Sequence, residues 1–332
     1  MKCAIVILNW NGKDMMRKYL PSVIEHSQCE GAQVIVADNG STDGSLLMLR
    51  EEFPSVGIIS QEKNFGFAEG YNKALAEVDA EYYLLLNSDV EIRQDGWLQP
   101  MLDYMDSHPQ CGACQPKLLS LLHPDQFEYA GAAGGFVDLF GYPYCRGRIL
   151  DKVETDHGQY DDIVPLLWAT GAALLVRASD YWFAGGLDER FFAHMEEIDL
   201  CWRMRSLGKE IVCIPESTAY HLGGATLSQG NPRKTFLNFR NNLLMLYKNL
   251  PTNQIWWILP ARLVLDFVAA MKFLMSGDVS NCKAVLRADR EFLHLRSQFS
   301  ADRQQNLDRR VVNDIPEHTS RLILINRTPL NK

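Results

Sequence analysis

The chain opens on Cys3-Ala4-Ile5-Val6-Ile7-Leu8 and turns polar at once with Asn9-Trp10-Asn11-Gly12. Six consecutive apolar residues ending in a polar turn read as a strand covered on both faces, the kind that parallel sheets are built from. Three further runs repeat the pattern: Gln33 to Ala37, Val56 to Ser60 and Tyr82 to Leu86, each bounded by Asn, Asp, Gly or Ser. Between them lie Asp14 to Ser27, Ser45 to Phe53 and Phe67 to Val78, each long enough for a helix and opened by Gly, Asp or Asn signals. The order βαβαβαβ predicts an α/β fold with a mainly parallel, right-handed sheet and helices on both faces. Ligands of such sheets bind beyond the carboxyl ends of the strands, so the residues that follow each apolar run are where chemistry is expected.

Those positions are polar. Asn9 and Asn11 follow the first run, Asp38-Asn39-Gly40-Ser41-Thr42-Asp43-Gly44-Ser45 the second, and Asn87-Ser88-Asp89 the fourth. All three clusters are expected at one sheet edge. Asp43 or Ser45 can cap the next helix, whereas the Asp38 carboxylate, at the end of a buried strand, needs a partner and can accept the N–H of a pyrimidine base. Asn64-Phe65-Gly66-Phe67-Ala68-Glu69-Gly70 enters a helix, and free amides at a helix N-terminus favour anions. Asn64 and Gly66 are therefore expected beside a diphosphate, with close helix packing as the alternative. Neither GxGxxG after the first strand nor GxxxxGK[ST] is present, which leaves a dinucleotide dehydrogenase or a P-loop ATPase without support.

In order and spacing, Val6 to Gly12, Val36 to Ser45, Asn64 to Asn72 and Leu84 to Asp89 resemble the family 2 glycosyltransferases, and within them the rhamnosyltransferase-like branch. The resemblance continues through Trp168 to Arg177, Gly185 to Phe192 and Glu196 to Arg203; it covers about residues 1–250, with Ser120 to Pro165 poorly matched. It implies the GT-A nucleotide-sugar-binding fold and inverting transfer of a sugar from a UDP- or dTDP-activated donor. The acceptor it implies is a hydroxyl of a glycan or lipid-linked molecule in polysaccharide assembly, with rhamnose among the candidate sugars. Departure of a diphosphate calls for a divalent cation, Mg²⁺ or Mn²⁺. Asp89 is the carboxylate for it; the usual Asp-x-Asp is Asn87-Ser88-Asp89 here, so the first acidic position is lost. By the same resemblance His221 is a second ligand.

A general base is also required, and Glu196-Glu197-Ile198-Asp199 sets three carboxylates within one helical turn, a crowding that raises at least one pKa. Asp199 and Arg203, four apart, fit a structural ion pair. The resemblance puts the base at Glu197, where the family has Asp, and Glu196 and Asp199 are the other candidates. Arg240 lies in a segment similar to a donor-proximal one of the branch, and a guanidinium suits a diphosphate. The competing reading is a nucleotide-sugar-binding or scaffold protein that has lost catalysis, for which Asn87 and Glu197 are the departures to cite.

Composition frames this reading. With 332 residues, 47% hydrophobic and 22% charged, the chain excludes disorder, collagen and coiled coil. Residues 1–230 hold 17 basic and 33 acidic side chains, residues 231–332 hold 16 and 8. The split predicts a catalytic domain over 1–230 and a helical C-terminal extension over 231–332. An acidic body argues against nucleic acid, while the basic extension suits an anionic membrane surface. Ile255 to Met275 is apolar except for a few positions including Arg262, Asp266 and Lys272, too charged for a membrane span. On a helical wheel these three oppose Leu263, Phe267 and Leu274, with Trp256 and Trp257 at the start, so the helix either packs on the body or lies at a lipid interface. The N-terminus lacks the marks of a secretory signal. Eight cysteines without a second CxxC beside Cys111 and Cys114 read as core residues. The expected location is the cytoplasm, and the lipid-interface reading of the Ile255 to Met275 helix would add peripheral contact at the inner face of the cytoplasmic membrane.

Overall fold

The structure, a computed structural model, describes residues 1–223 and 230–311. Gly224, the end of the His221 segment, lies outside them. The first half alternates as its sequence predicts: β1 (Cys3–Asn9), α1 (Lys13–His26), β2 (Ala32–Asn39), α2 (Ser45–Glu52), β3 (Gly57–Gln61), α3 (Gly66–Ala76) and β4 (Tyr82–Leu86). Then follow β5 (Val90–Glu91), α4 (Gln99–Ser107), β6 (Cys111–Ser120), the short strands β7 (Gly135–Val137), β8 (Pro143–Cys145), β9 (Arg148–Ile149) and β10 (Lys152–Val153), β11 (Ala173–Arg177), α5 (Ala178–Phe183), α6 (Glu196–Ser206) and β12 (Glu210–His221). The chain continues through α7 (Pro232–Asn249), α8 (Thr252–Met275), α9 (Val279–Leu295) and α10 (Ser300–Asp308).

Eight strands form one sheet in the order β3-β2-β1-β4-β11-β6-β12-β5. β3, β2, β1 and β4 are parallel; β11 runs antiparallel to both β4 and β6, and β12 is parallel to β6. Side chains alternate across it with a period of two. Ala4, Val6, Tyr83, Leu85, Leu174 and Val176 enter the core beneath α3 and α6, while Cys3, Ile5, Ile7, Tyr82, Leu84 and Leu175 enter the core beneath α1 and α4. This two-sided burial is why β1 and β4 read as unbroken apolar runs.

β7–β10 form a separate four-stranded antiparallel sheet from the poorly matched stretch. Leu243, Leu244, Met245 and Leu246 of α7, with Leu250 just after it, lie in the same hydrophobic cluster as Leu85 and Leu174. All eight cysteines are free thiols, and seven are buried.

Candidate active site

The turn after β4 builds the centre of the site. Its Asn87 N–H donates to the Ala172 carbonyl (3.0 Å), and two residues later β5 pairs antiparallel with the end of β12, Val90 opposite His221. That register sets His221 Nε2 3.1 Å from Asp89 Oδ1 and 3.3 Å from Asn87 Nδ2. On the far side of the ring, Nδ1 lies 3.3 Å from Glu128 Oε1. His221, Asp89 and Glu128 are all buried. Burial works against a charged imidazole, but the two carboxylates outweigh it and push the His221 pKa up to about 10. Burial pushes the Asp89 carboxyl up, but its hydrogen bond to His221, the charge of that ring and the backbone amides of Asp89 and Gly223 together outweigh it and hold Asp89 below the usual carboxylate range.

This donor set suits a hard divalent cation. Two ligands of an ion with bonds of about 2.1 Å at a right angle stand about 3 Å apart, the spacing of Asp89 Oδ1 and His221 Nε2. Among the described residues no group of three or more His, Cys, Asp or Glu is arranged to hold an ion by itself. Asp89 and His221 would supply two protein donors only once the imidazole gives up its proton to the incoming ion, and ligand or water oxygens would have to supply the rest, as is usual for Mg²⁺. Glu128 was not legible in the sequence: it stands alone in the poorly matched segment, and nothing in its spacing marks it.

The loops after β1 and β2 close on each other. Asp38 is fully buried, its Oδ1 accepting from Asn9 Nδ2 (3.0 Å) and its Oδ2 from the Ser41 amide (3.0 Å). The structure thus gives Asp38 a loop-building role, with no exposed surface to offer a base N–H. Asn11, at φ 50°, accepts from the Thr42 amide (2.7 Å) and stays exposed. Asp43 accepts from Lys13 N (2.9 Å) and Ser45 N (3.0 Å), the first residues of α1 and α2, so one carboxylate serves two helix N-termini. Asn11, Asn87 and Ser88, with half-exposed Trp10, are the groups left open here.

The anion cradle expected at α3 is filled by protein. Phe65 N donates to Asn39 Oδ1 (2.9 Å) and Gly66 N to Asn64 Oδ1 (2.8 Å), while Phe67 N and Ala68 N both donate to the Phe192 carbonyl (2.8 and 3.4 Å). No amide of the first turn remains for a diphosphate, so Asn64 and Gly66 order the loop. Gly66 has φ +83°, and a Cβ there would stand 2.6 Å from the Phe192 ring.

Arg240 also departs from expectation. Its guanidinium donates to Asn241 Oδ1 (2.9 Å), Glu291 Oε1 (2.8 Å) and the Phe191 carbonyl (3.3 Å), which fixes α7 to α9 and leaves the group committed to structure.

The acidic turn of α6 separates into three environments. Asp199 is fully buried and accepts from Arg203 Nε (2.9 Å), Lys248 Nζ (2.8 Å) and Asn249 Nδ2 (2.8 Å). It is an anchor, and the site loses that candidate base. Glu196 is buried, and burial with the charge of Glu197 raises its pKa well above the carboxylate range. Glu197 is half-buried, and desolvation raises it only to about 6. Neither Glu196 Oε2 nor Glu197 Oε2 has a hydrogen-bond partner among the described residues. Glu197 stands against Gly171, where a Cβ would meet its Cβ at 3.6 Å. Since Ala172 carries the carbonyl that holds Asn87, the Trp168 to Arg177 segment joins Glu197 to the Asp89–His221 pair.

The segment before α6 is strained, with positive φ at Phe192 (66°), His194 (72°) and Met195 (75°). Asn241 holds it, its Nδ2 donating to the carbonyls of Phe191 (3.0 Å), Ala193 (2.9 Å) and His194 (2.8 Å). Asn242 Nδ2 donates to the Gly141 carbonyl (2.7 Å). Asn241 sat in the segment already noted around Arg240, but only the structure identifies which of the neighbours matters.

Residues 4–132 match the Glycosyl transferase family 2 sequence profile. The chain is 28% identical over 211 residues, 57% of its length and 66% of the relative's, to N-acetylglucosaminyl-diphospho-decaprenol L-rhamnosyltransferase of Mycobacterium tuberculosis. It is 26% identical over 228 residues, 65% of its length and 82% of the relative's, to rhamnosyltransferase WbbL of Escherichia coli. Among solved structures, that of GalNAc-T7 with UDP, GalNAc and Mn²⁺ superposes with a TM-score of 0.57 at 13% identity, over 75% of this chain and 48% of that one. The chain thus spans a little under two thirds of the mycobacterial relative and about half of the GalNAc-T7 chain. Residues 4–132 thus carry the match to the family 2 glycosyltransferase profile, on a GT-A fold, and the chain is similar to the rhamnosyltransferases.

Proposed function

We propose that the protein is an inverting glycosyltransferase that moves a sugar, with rhamnose first in line from its relatives, from a UDP- or dTDP-activated donor to a hydroxyl of a glycan or lipid-linked acceptor in polysaccharide assembly. The observation that carries this reading is the junction of the Asp89–His221 pair, through the Gly171-Ala172 turn, with the Glu197 carboxylate, whose Oε2 has no hydrogen-bond partner among the described residues. Asn11, Asn87 and Ser88 face the donor. Asp89 and His221 would hold a divalent cation, which when bound would supply positive charge for the departing diphosphate. Glu197 takes the acceptor's hydroxyl proton as that oxygen attacks the anomeric carbon from the face opposite the diphosphate. The anomeric C–O bond breaks with its electron pair going to the leaving phosphate oxygen, and the configuration inverts. Burial and the neighbouring Glu197 charge raise the Glu196 carboxyl well above its ordinary range, whereas desolvation raises Glu197 only to about 6, which makes Glu197 the better-matched base.

The test is a screen of UDP- and dTDP-sugars for release of the nucleoside diphosphate with Mn²⁺ and after chelation. Metal-dependent release, abolished by Asp89→Asn, supports the reading. Donor binding by calorimetry with no release under any condition would instead favour a nucleotide-sugar-binding protein without catalysis.

A further inference from the structure

Helix α8 is built inside out. Its charged pair Arg262 and Asp266 is buried (2% and 0% exposed), whereas its outward face is apolar: Trp256 72%, Val264 63%, Phe267 53%, Val268 58% and Met275 82% exposed. The inward pair is tied to the body. Arg262 Nε donates to Asp266 Oδ1 (2.8 Å), its Nη1 donates to both Asn242 Oδ1 (2.5 Å) and the Phe140 carbonyl (3.1 Å), and its guanidinium stacks on Tyr142 at 3.7 Å; Asp266 Oδ2 alone of the carboxylate has no partner among the described residues. A helix that packed on the body with its wet side outward would show the reverse arrangement. With 24 residues α8 presents this face over about 36 Å, yet no described helix is long and apolar enough to cross a membrane.

The surrounding charge is one-sided. α9 returns along α8 through Ala270, Cys282 and Val285. The exposed charges of the two helices are Lys272, Lys283, Arg287 and Arg290, all basic, and His294 is exposed with them. The three acidic residues of these helices are covered or paired, Asp266 buried with Arg262, Glu291 paired with Arg240 and Asp289 half-buried, and Asp278 in the turn between them caps α9 through the Asn281 amide (3.0 Å). Among the described residues of α8, α9 and their turn the exposed charges are thus all basic, and an apolar helix face with Trp at its start beside them matches an anionic lipid surface. A second copy of the chain would fit worse, because a symmetric contact through α8 would bring the same cations onto both sides.

We propose that α8 lies in the plane of an anionic bilayer surface, its Trp256–Phe267–Met275 face inserted among the acyl chains and the cations of α9 against the headgroups. This docking is independent of the catalytic reading, and its test needs no donor or acceptor. Full-length protein is floated with vesicles of phosphatidylcholine alone and of phosphatidylcholine with about one-third phosphatidylglycerol. Binding to the anionic vesicles that weakens with salt is expected. Val264→Ala with Phe267→Ala should weaken it on the order of tenfold or more by loss of inserted apolar area. Lys283→Glu with Arg290→Glu should weaken it by a similar factor, since each cation near such a surface is worth about fivefold. All four positions are exposed, and an unchanged circular dichroism spectrum verifies folding of each variant. Four results would overturn the proposal: no flotation, equal binding to both vesicle types, a stable dimer in light scattering that Phe267→Asp dissociates, or binding by residues 1–311 but not by the full chain, which would mean that the C-terminal segment covers the face.

Discussion

Glu197 and Glu196 are neighbours with the same side chain, and their environments give them different work. Desolvation raises Glu197 from 4.5 to about 6, so as a base it must lose its proton and activity should fall about tenfold per pH unit below 6. A pH–rate profile checks this: the acid limb should be present in the native protein and in Glu196→Gln. The stability effect has a definite sign. A folded-state pKa above the unfolded one contributes stability below about 4.5 and loses it as pH rises through about 6. Relative to the native chain, Glu197→Gln should therefore be more stable at pH 8 and no more stable at pH 4, as read by thermal melts. For Arg240 the sequence suggested a diphosphate contact, but its guanidinium is spent on Glu291, Asn241 and the Phe191 carbonyl. Arg240→Gln should lower the melting temperature while donor affinity, measured by calorimetry, changes less than about threefold; a loss of tenfold or more with an intact fold would restore the contact. Residue type alone could not separate these roles, because Arg, Glu and Asp look alike in sequence whether their partner is a substrate or a buried neighbour.

At the scale of elements, α7 is the clamp of α6. Lys248 joins Asp188 (2.6 Å) and Asp199 (2.8 Å), Asn249 adds a bond to Asp199, and Asn241 holds the strained segment that leads into Glu196 and Glu197. Lys248→Met leaves Asp188 and Asp199 short of a buried cation and should cost about 3–5 kcal/mol in denaturant unfolding. Asn241→Ala is the more informative change. It frees three carbonyls of a segment with three positive φ values, and a shift of about 1 Å at Glu197 should lower kcat on the order of 10²-fold. The Michaelis constant for the donor should stay within about twofold, since Asn241 touches no donor-facing loop; equal losses in both constants would mean that it supports the fold only. The Asn241–Asn242 pair was visible as sequence, but its function depends on where a strained loop passes, which spacing does not encode.

Across the whole molecule, legibility follows how each strand is buried. β1, β2 and β4 were readable to within a residue or two because two-sided burial makes them apolar runs between polar turns, and the edge strand β3 was displaced by one residue at each end from the expected Val56 to Ser60. The later strands were not: β6 contains Gly112 and Pro116, its pairing with β12 breaks register between Ile214 and Thr218, and β7 to β10 are two or three residues long. Glu128 comes from just that region, so the third member of the His221 cluster stayed hidden. Helix α8 was legible as amphipathic, but its direction was not, since a wheel cannot say which face meets the body; Arg262 and Asp266 turn inward because Tyr142, Asn242 and the Phe140 carbonyl receive them. The central claim is that this fold brings one base, Glu197, to a metal-assisted site. Single-turnover transfer with the active donor, measured for the native chain, Glu197→Gln and Glu196→Gln at pH 7.5 with Mn²⁺, tests it most directly. Loss of about 10²- to 10⁴-fold in Glu197→Gln, with unchanged donor affinity and less than about tenfold loss in Glu196→Gln, is the predicted result. A Glu197→Gln protein that turns over at the native rate would contradict it.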